Sequence, residues 1–275
     1  MAALVLNADA FTTAFGRAPF AVRHTLTDHP LLTVDAVASL ADRLPERRIE
    51  QNLGDLPLVV PTGAAPRAAL SPGDIARTID SNGCWMVLKN IETDPAYREL
   101  LDRTLDEVAP YLGRREGGMG RREGFIFLSA PNSVTPVHFD PEHNFLLQVR
   151  GTKQMSVGRF DDAASEQREL ERYYQGGHRN LDTVPRDSTQ FALTPGDGVY
   201  VPVHAPHWVT NGPTVSVSLS ITFYTRATDR LARVHVCNGF LRRRGLSPRP
   251  PGSNPVIDRT KEALTRAARV LRRLG

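Results

Sequence analysis

The sequence predicts a mainly β fold with flanking helices, organised around one barrel. Three observations predict it. Short apolar runs recur near 124–130, 136–140, 144–149, 153–158, 190–193, 198–202, 207–211 and 215–224, each bounded by turn residues. The run Val215-Ser-Val-Ser-Leu-Ser220 alternates apolar and hydroxyl residues, as a strand does when one face lines a polar cavity. A chain of 275 residues, 40% hydrophobic and 23% charged, is long enough for one barrel domain with helical additions.

The first 122 residues read as mixed. Thr33 caps a helix through Leu44, with Val34, Val37, Leu40 and Leu44 on one face. Ser71-Pro72 opens a second helix into Ile79, with proline at the favoured first position. Cys84–Lys89 reads as a buried strand and Cys84 as a core residue. Asp94-Pro95 starts a third helix, with Tyr97, Leu101, Leu105, Val108 and Leu112 along one face and Gly113 closing it. Residues 46–70, rich in proline, alanine and glycine, read as a surface loop. Gly113–Gly124 reads as a flexible charged loop, either a solvated linker or a lid over a substrate. Residues 161–189 form a polar insert, helical around Ser165–Tyr174.

The C-terminus changes character. From Arg230 to Gly275 there are twelve basic and two acidic residues, a net of +10; the chain as a whole is +4, so residues 1–229 carry −6. Ser253 or Asn254 caps a helix whose one face is Ile257, Leu264, Ala267, Ala268, Leu271 and Leu274. The other face carries Arg259, Lys261, Arg266, Arg269, Arg272 and Arg273. The apolar face is expected to dock on the acidic barrel or on a second copy in a homodimer. An acidic carrier protein or peptide is another partner the charge would suit. Nucleic acid is disfavoured, because no aromatic residues interleave with the charges. The chain thus divides into 1–229, with N-terminal elements to 122 and barrel 123–229, and a basic extension 230–275. Two cysteines, Cys84 and Cys237, form no metal or disulfide pattern and suit a reducing cytoplasm. No export signal and no apolar run approaching 18 residues is present, so a cytoplasmic protein without a membrane span is expected.

The chemistry concentrates at His138-Phe139-Asp140 and at His207 of Pro206-His207-Trp208-Val209. Residues i and i+2 of a strand share a side, so His138 and Asp140 converge while Phe139 faces away. Two imidazoles and one carboxylate fill one face of an octahedral metal and leave the opposite positions open, the donor set of non-heme Fe(II) sites. His204 rivals His207 for the third ligand; a ligand that begins the strand after Pro206 favours His207, with His204 as its neighbour at the pocket rim. His143 is expected at the pocket mouth or in solvent. His24, His29, His178 and His235 carry no spacing signal and read as ordinary surface or hydrogen-bonding residues. Only three of the 34 basic residues are lysines, Lys89, Lys153 and Lys261. Lys153 follows the turn at Gly151, where a compact ammonium can meet a carboxylate end-on inside a narrow barrel.

The stretch Thr135-Pro-Val-His138-Phe-Asp140-Pro-Glu-His-Asn144-Phe-Leu-Leu-Gln-Val-Arg-Gly151-Thr-Lys153 resembles the core of jumonji-C, cupin-like 2-oxoglutarate oxygenases. Its nearest resemblance is to the asparaginyl-hydroxylase branch typified by factor inhibiting HIF. The run Pro195-Gly-Asp-Gly-Val-Tyr200-Val-Pro202 with Pro206-His207-Trp208-Val209 is similar to that family's second half, and the two together cover roughly 123–224. The resemblance implies a double-stranded β-helix, or jelly roll. It implies Fe(II) on His138, Asp140 and His207, with 2-oxoglutarate and O2 as co-substrates and hydroxylation of an unactivated C–H as the reaction. Thr135 and Lys153 would hold the distal carboxylate of 2-oxoglutarate, and Asn144 would lie near its chelating end. The family's second asparagine has no counterpart; Ser218 or Ser220 stands on the corresponding strand. Its distal-pocket tyrosine is also missing, with Phe125 and Phe127 in that region.

The substrate class implied is an amino-acid side chain in a peptide or protein, or a small or carrier-bound biosynthetic molecule. Two other classes stand beside the oxygenase. A non-redox metal-binding cupin, an isomerase or ligand-binding module, would give Lys153 no partner. A regulator acting through its basic tail would need the arginines and not the triad.

Overall fold

The computed structural model describes residues 2–60, 70–114 and 116–274, with backbone alone for 269–274. Four strands precede the barrel: β1 (Leu4–Val5), β2 (Phe20–His24), β3 (Ile49–Leu53) and β4 (Cys84–Lys89). Eight build it: β5 (Met119–Ser129), β6 (Val134–His138), β7 (His143–Arg150), β8 (Lys153–Gly158), β9 (Ser188–Leu193), β10 (Asp197–Val201), β11 (His207–Asn211) and β12 (Ser216–Thr225). Helices α1 (Ala8–Ala14), α2 (Val34–Ala41), α3 (Pro72–Arg77) and α4 (Pro95–Val108) lie before the barrel. Helix α5 (Ala163–Tyr174) interrupts it, and α6 (Arg226–Arg242) and α7 (Pro255–Leu274) follow it.

The strands form two antiparallel sheets, a wide one in the order β1-β2-β10-β7-β12-β5-β4-β3 and a narrow one in the order β6-β11-β8-β9. The middle of the wide sheet and the whole narrow sheet face one another as the jelly roll the sequence implied. The N-terminal strands widen the first sheet at both edges.

Side-chain alternation decides what each face does. On β12, Val217, Leu219, Ile221 and Phe223 point outward into the main apolar core, where they meet Leu40, Ile75, Leu101 and Leu105 of the N-terminal helices. Ser218, Ser220 and Thr222 point into the barrel and are also buried. Strand β7 is split the same way: Phe145 and Leu147 face the core, Asn144, Leu146 and Gln148 the interior. The 215–224 alternation is therefore real, although both faces are shielded from water. Gly151 turns β7 into β8 at φ +71°, and an added Cβ would lie 2.3 Å from the Val215 carbonyl oxygen, so only glycine fits.

The caps at Thr33, Ser71 and Asp94 are found where expected, each accepting a backbone N–H in the first turn. Several boundaries differ. The 46–70 stretch is not all loop: Ile49–Leu53 is a strand paired with β4, while 61–69 lies outside the described residues. The charged 113–124 run is not a loop throughout, since β5 begins at Met119 and reaches Thr225 of β12 across the sheet. Helix α4 ends at Val108 and a 3-10 turn, Ala109–Tyr111, carries the chain on. Helix α6 had no sequence signal of its own.

The C-terminal helix does not dock its apolar face on its own barrel. Its buried side is Asp258, Lys261, Glu262 and Thr265, while Ile257, Leu264, Ala267 and Ala268 face solvent. The reason lies in what it packs against. Glu262 receives Arg230 and Arg233 from α6 and Arg266 from its own helix, and Thr265 donates to the Arg233 carbonyl. A charged seam joins α6 to α7. The side chains of Arg269, Leu271, Arg272, Arg273 and Leu274 lie outside the described residues. Among the described residues no helix is long and apolar enough to cross a membrane.

Candidate metal centre and its cavity

His138 closes β6 and His207 opens β11, and the two face each other across the narrow sheet in register. Asp140 follows two residues beyond the strand end. One donor atom from each of the three lies within 4.8 Å of the other two, and all three residues are buried. The two rings are oriented by the main chain. His138 Nδ1 is hydrogen-bonded to the Pro136 carbonyl at 2.8 Å and His207 Nδ1 to the Ala205 carbonyl at 2.9 Å. Each Nδ1 therefore carries a proton, which leaves Nε2 as the ring atom available to a metal. Burial, reinforced by the neighbouring His207, pushes His138 down to about 3, so it stays neutral and able to ligate.

Asp140 is tied off in the same manner. Its Oδ1 accepts a hydrogen bond from Arg179, and its Oδ2 lies 3.4 Å from His207 Nε2. Burial opposes its charge, but Arg179 and His207 outweigh that and hold the carboxyl well below the usual range. Arg179 reaches it because residues 179–181 run beside β6: Phe139 N–H donates to the Arg179 carbonyl and Leu181 N–H to the Val137 carbonyl. Phe139 turns away into an apolar cluster with Val137, Leu170 and Leu181, as the strand geometry requires.

A cavity between the sheets extends from these residues to Lys153, lined also by Thr135, Asn144, Ser220, Phe125, Phe127, Glu142 and Arg179. Thr135 and His138 are three apart and would point to opposite sides of a regular strand. A register irregularity in the β6–β11 pairing, between His207 and Val209, lets both face inward. Asn144 accepts from Ser220 Oγ at 2.8 Å. Lys153 is 6% exposed, and no acidic group, hydrogen-bond acceptor or ion-pair partner among the described residues meets its ammonium. Burial pushes it down to about 7. A buried ammonium without a counter-charge is costly, so a group at this position fits an anion that arrives later.

The other sequence candidates fall elsewhere. Ser218 does not line the cavity; its hydroxyl donates to Gln148 Oε1 at 2.7 Å. His204 is not a member of the donor cluster, and its ring pairs with Tyr174 at 2.8 Å. His143 is neither at the mouth nor in solvent: it is 2% exposed, bonded to Tyr200 Oη and stacked on Phe15 and Phe223. His24 and His235 are buried as well. Two cavity residues had no signal in the sequence. Arg179 is 39 residues beyond its partner Asp140 in an arginine-rich chain. Glu142 sits inside the quoted motif without a role. Burial and the adjacent Asp140 raise its carboxyl to about 8, and Tyr224 Oη donates to it at 3.0 Å.

Residues 121–230 match the family model described as the JmjC domain, a span that contains every residue of the donor set. In fold, the chain is similar to the X-ray structure of Escherichia coli YcfD, with a TM-score of 0.54 at 16% identity over 97% of this chain and 68% of that one. It is also similar to YcfD described as a ribosomal oxygenase from Escherichia coli in complex with cobalt and 2-oxoglutarate, with a TM-score of 0.53 at 15% identity over 97% and 67%. No curated protein matches the chain in sequence. The molecule thus has a jelly-roll fold similar to that of YcfD, with a His-Asp-His cluster able to hold a metal.

Proposed function

We propose that this protein is an Fe(II)- and 2-oxoglutarate-dependent oxygenase that hydroxylates an unactivated C–H of an amino-acid side chain in a protein or peptide. The observation that carries the reading is Lys153, an uncompensated buried ammonium in the cavity that also holds the three donor atoms. A dicarboxylate that chelates at one end and meets an ammonium at the other fits that cavity. A metal-only cupin leaves the lysine without purpose. Iron, O2 and 2-oxoglutarate together supply the oxidising chemistry when bound. The chain's residues do the rest. His138, Asp140 and His207 hold the metal, and Arg179 confines Asp140 to one free oxygen. Lys153, with Thr135 on the same sheet, would anchor the distal carboxylate, while Asn144 and Ser220 fix a polar contact on the opposite wall. Phe125, Phe127, Leu146 and Met155 exclude water along the length of the cavity.

The protein-substrate reading draws on the asparaginyl-hydroxylase character of 135–153 and on the ribosomal oxygenase described among the similar folds. The decisive measurement is succinate formation with Fe(II), 2-oxoglutarate and O2, comparing wild type with Asp140→Ala and His138→Ala. The wild type should form succinate and either variant should lose at least ~1,000-fold in rate, as expected when one of three ligands is removed from a catalytic metal. Full substrate-dependent turnover by Asp140→Ala would overturn the assignment. Metal binding by wild type without succinate would return it to the non-redox cupins.

A further inference from the structure

The turn between β10 and β11 holds two of the three metal-site residues at once. His204 N–H donates to the Asp140 carbonyl at 2.8 Å, and the next residue, Ala205, accepts from His207 Nδ1 at 2.9 Å. The turn is closed by Ala205 N–H on the Pro202 carbonyl. His204 takes φ +65°, a left-handed conformation that only glycine adopts freely. Something has to hold it there. Its ring is enclosed, 5% exposed, with Nε2 hydrogen-bonded to Tyr174 Oη at 2.8 Å. Phe139 and His235 each meet it edge-on. Tyr174 ends α5 and stacks on His235 of α6, with ring centroids 5.5 Å apart and planes 11° apart. A continuous path therefore runs from α6 through Tyr174 and His204 to the backbone of Asp140 and the ring of His207.

We propose that Tyr174 is a positioning residue for the metal centre: it clamps the left-handed His204 turn, and through that turn it sets Asp140 and His207. The inference rests on the metal-site reading above. It gives the insert helix α5 and the C-terminal helix α6 a role in the chemistry without contact to metal or substrate. Partners that orient ligands commonly affect metal affinity by about 10–100-fold. One bond further out, the effect should sit near the lower end.

The test is Co(II) titration of metal-free protein, read by visible absorption, with thermal unfolding of the same samples. Tyr174→Phe keeps the ring stack and removes the hydroxyl. It should weaken Co(II) binding about tenfold and alter the cobalt spectrum, with the metal-free melting temperature nearly unchanged. His204→Gly keeps the N–H to Asp140 and accepts the left-handed φ, yet loses the tyrosine link. It should weaken Co(II) binding to a similar degree, and the double variant should be no worse than either single one. Wild-type affinity and spectrum in Tyr174→Phe, or fully additive losses in the double variant, would reject the clamp. If Tyr174→Phe fails to fold, an undisturbed His204→Gly rejects it as well. If the wild type takes up no Co(II), the metal-site reading falls and the clamp with it.

Discussion

Gln148 and Lys153 flank the same turn, five residues apart, and both are buried, yet they are treated in opposite ways. The Gln148 amide donates to the carbonyls of Arg150 and Gly151 and to Ser216 Oγ, and its oxygen accepts from Ser218. Its backbone carbonyl takes His24 Nε2. Every polar atom of that group has a partner inside the protein. Among the described residues Lys153 meets none, although an ammonium costs more to bury. The satisfied group needs nothing more, and the unsatisfied one is where the proposed co-substrate would end. Buried polarity by itself distinguishes nothing here; the missing partner does.

The largest effect should come from removing the unsatisfied charge. Lys153→Met should weaken 2-oxoglutarate binding roughly 100-fold, the loss of a charge-assisted contact worth about 2–3 kcal/mol. It should also raise the melting temperature of the ligand-free protein, and isothermal titration and thermal unfolding check the two halves. A variant that lost stability instead would show that Lys153 has a structural partner. The pH dependence follows from the same group. Its folded value of about 7 lies below the ordinary 10.5. Between those values the unfolded chain binds a proton that the folded one does not, so this group makes stability rise with pH across that window. Co-substrate binding needs the ammonium, so affinity should fall by up to about tenfold per pH unit above about 7. Lys153→Met should flatten both profiles.

Ser218→Ala probes the other side of the comparison. It strips the donor from Gln148 and should cost about 1–2 kcal/mol of stability while leaving 2-oxoglutarate affinity unchanged. Ser220→Ala should weaken that affinity. An equal effect of the two on affinity would mean that Ser218 reaches the co-substrate after all. The smallest change is expected at Leu264, 60% exposed on α7, where Leu264→Ser should stay within about 0.5 kcal/mol by chemical denaturation.

The sequence made the barrel legible because its strands have one polar and one apolar side, and a two-residue period survives in composition. It made His138, Asp140 and Lys153 legible because a ligand pair has a fixed spacing and a lysine was rare. Arg179 and Glu142 escaped, since a partner brought in by a neighbouring strand leaves no spacing to read. Helix α7 was harder to read for a related reason. Its apolar stripe obeys helical periodicity, but its partner surface on α6 offers arginines, and Glu262 follows them. Periodicity tells which faces a helix has; it does not tell which face its neighbour will take.

Strand β11 spans the cavity from one end to the other. It begins at His207, opposite His138, and ends at Asn211, opposite Lys153. Four residue steps of extended chain, about 13 Å of backbone, separate the His-Asp-His cluster from Lys153, the proposed anchor, and the side chains reach inward from both ends. The hydrogen-bond register of the strand sets the coarse spacing of the two ends, and the flexible Lys153 stem sets the fine one. A diacid one carbon shorter or longer should therefore bind more weakly than 2-oxoglutarate, with Lys153 taking up part of the difference.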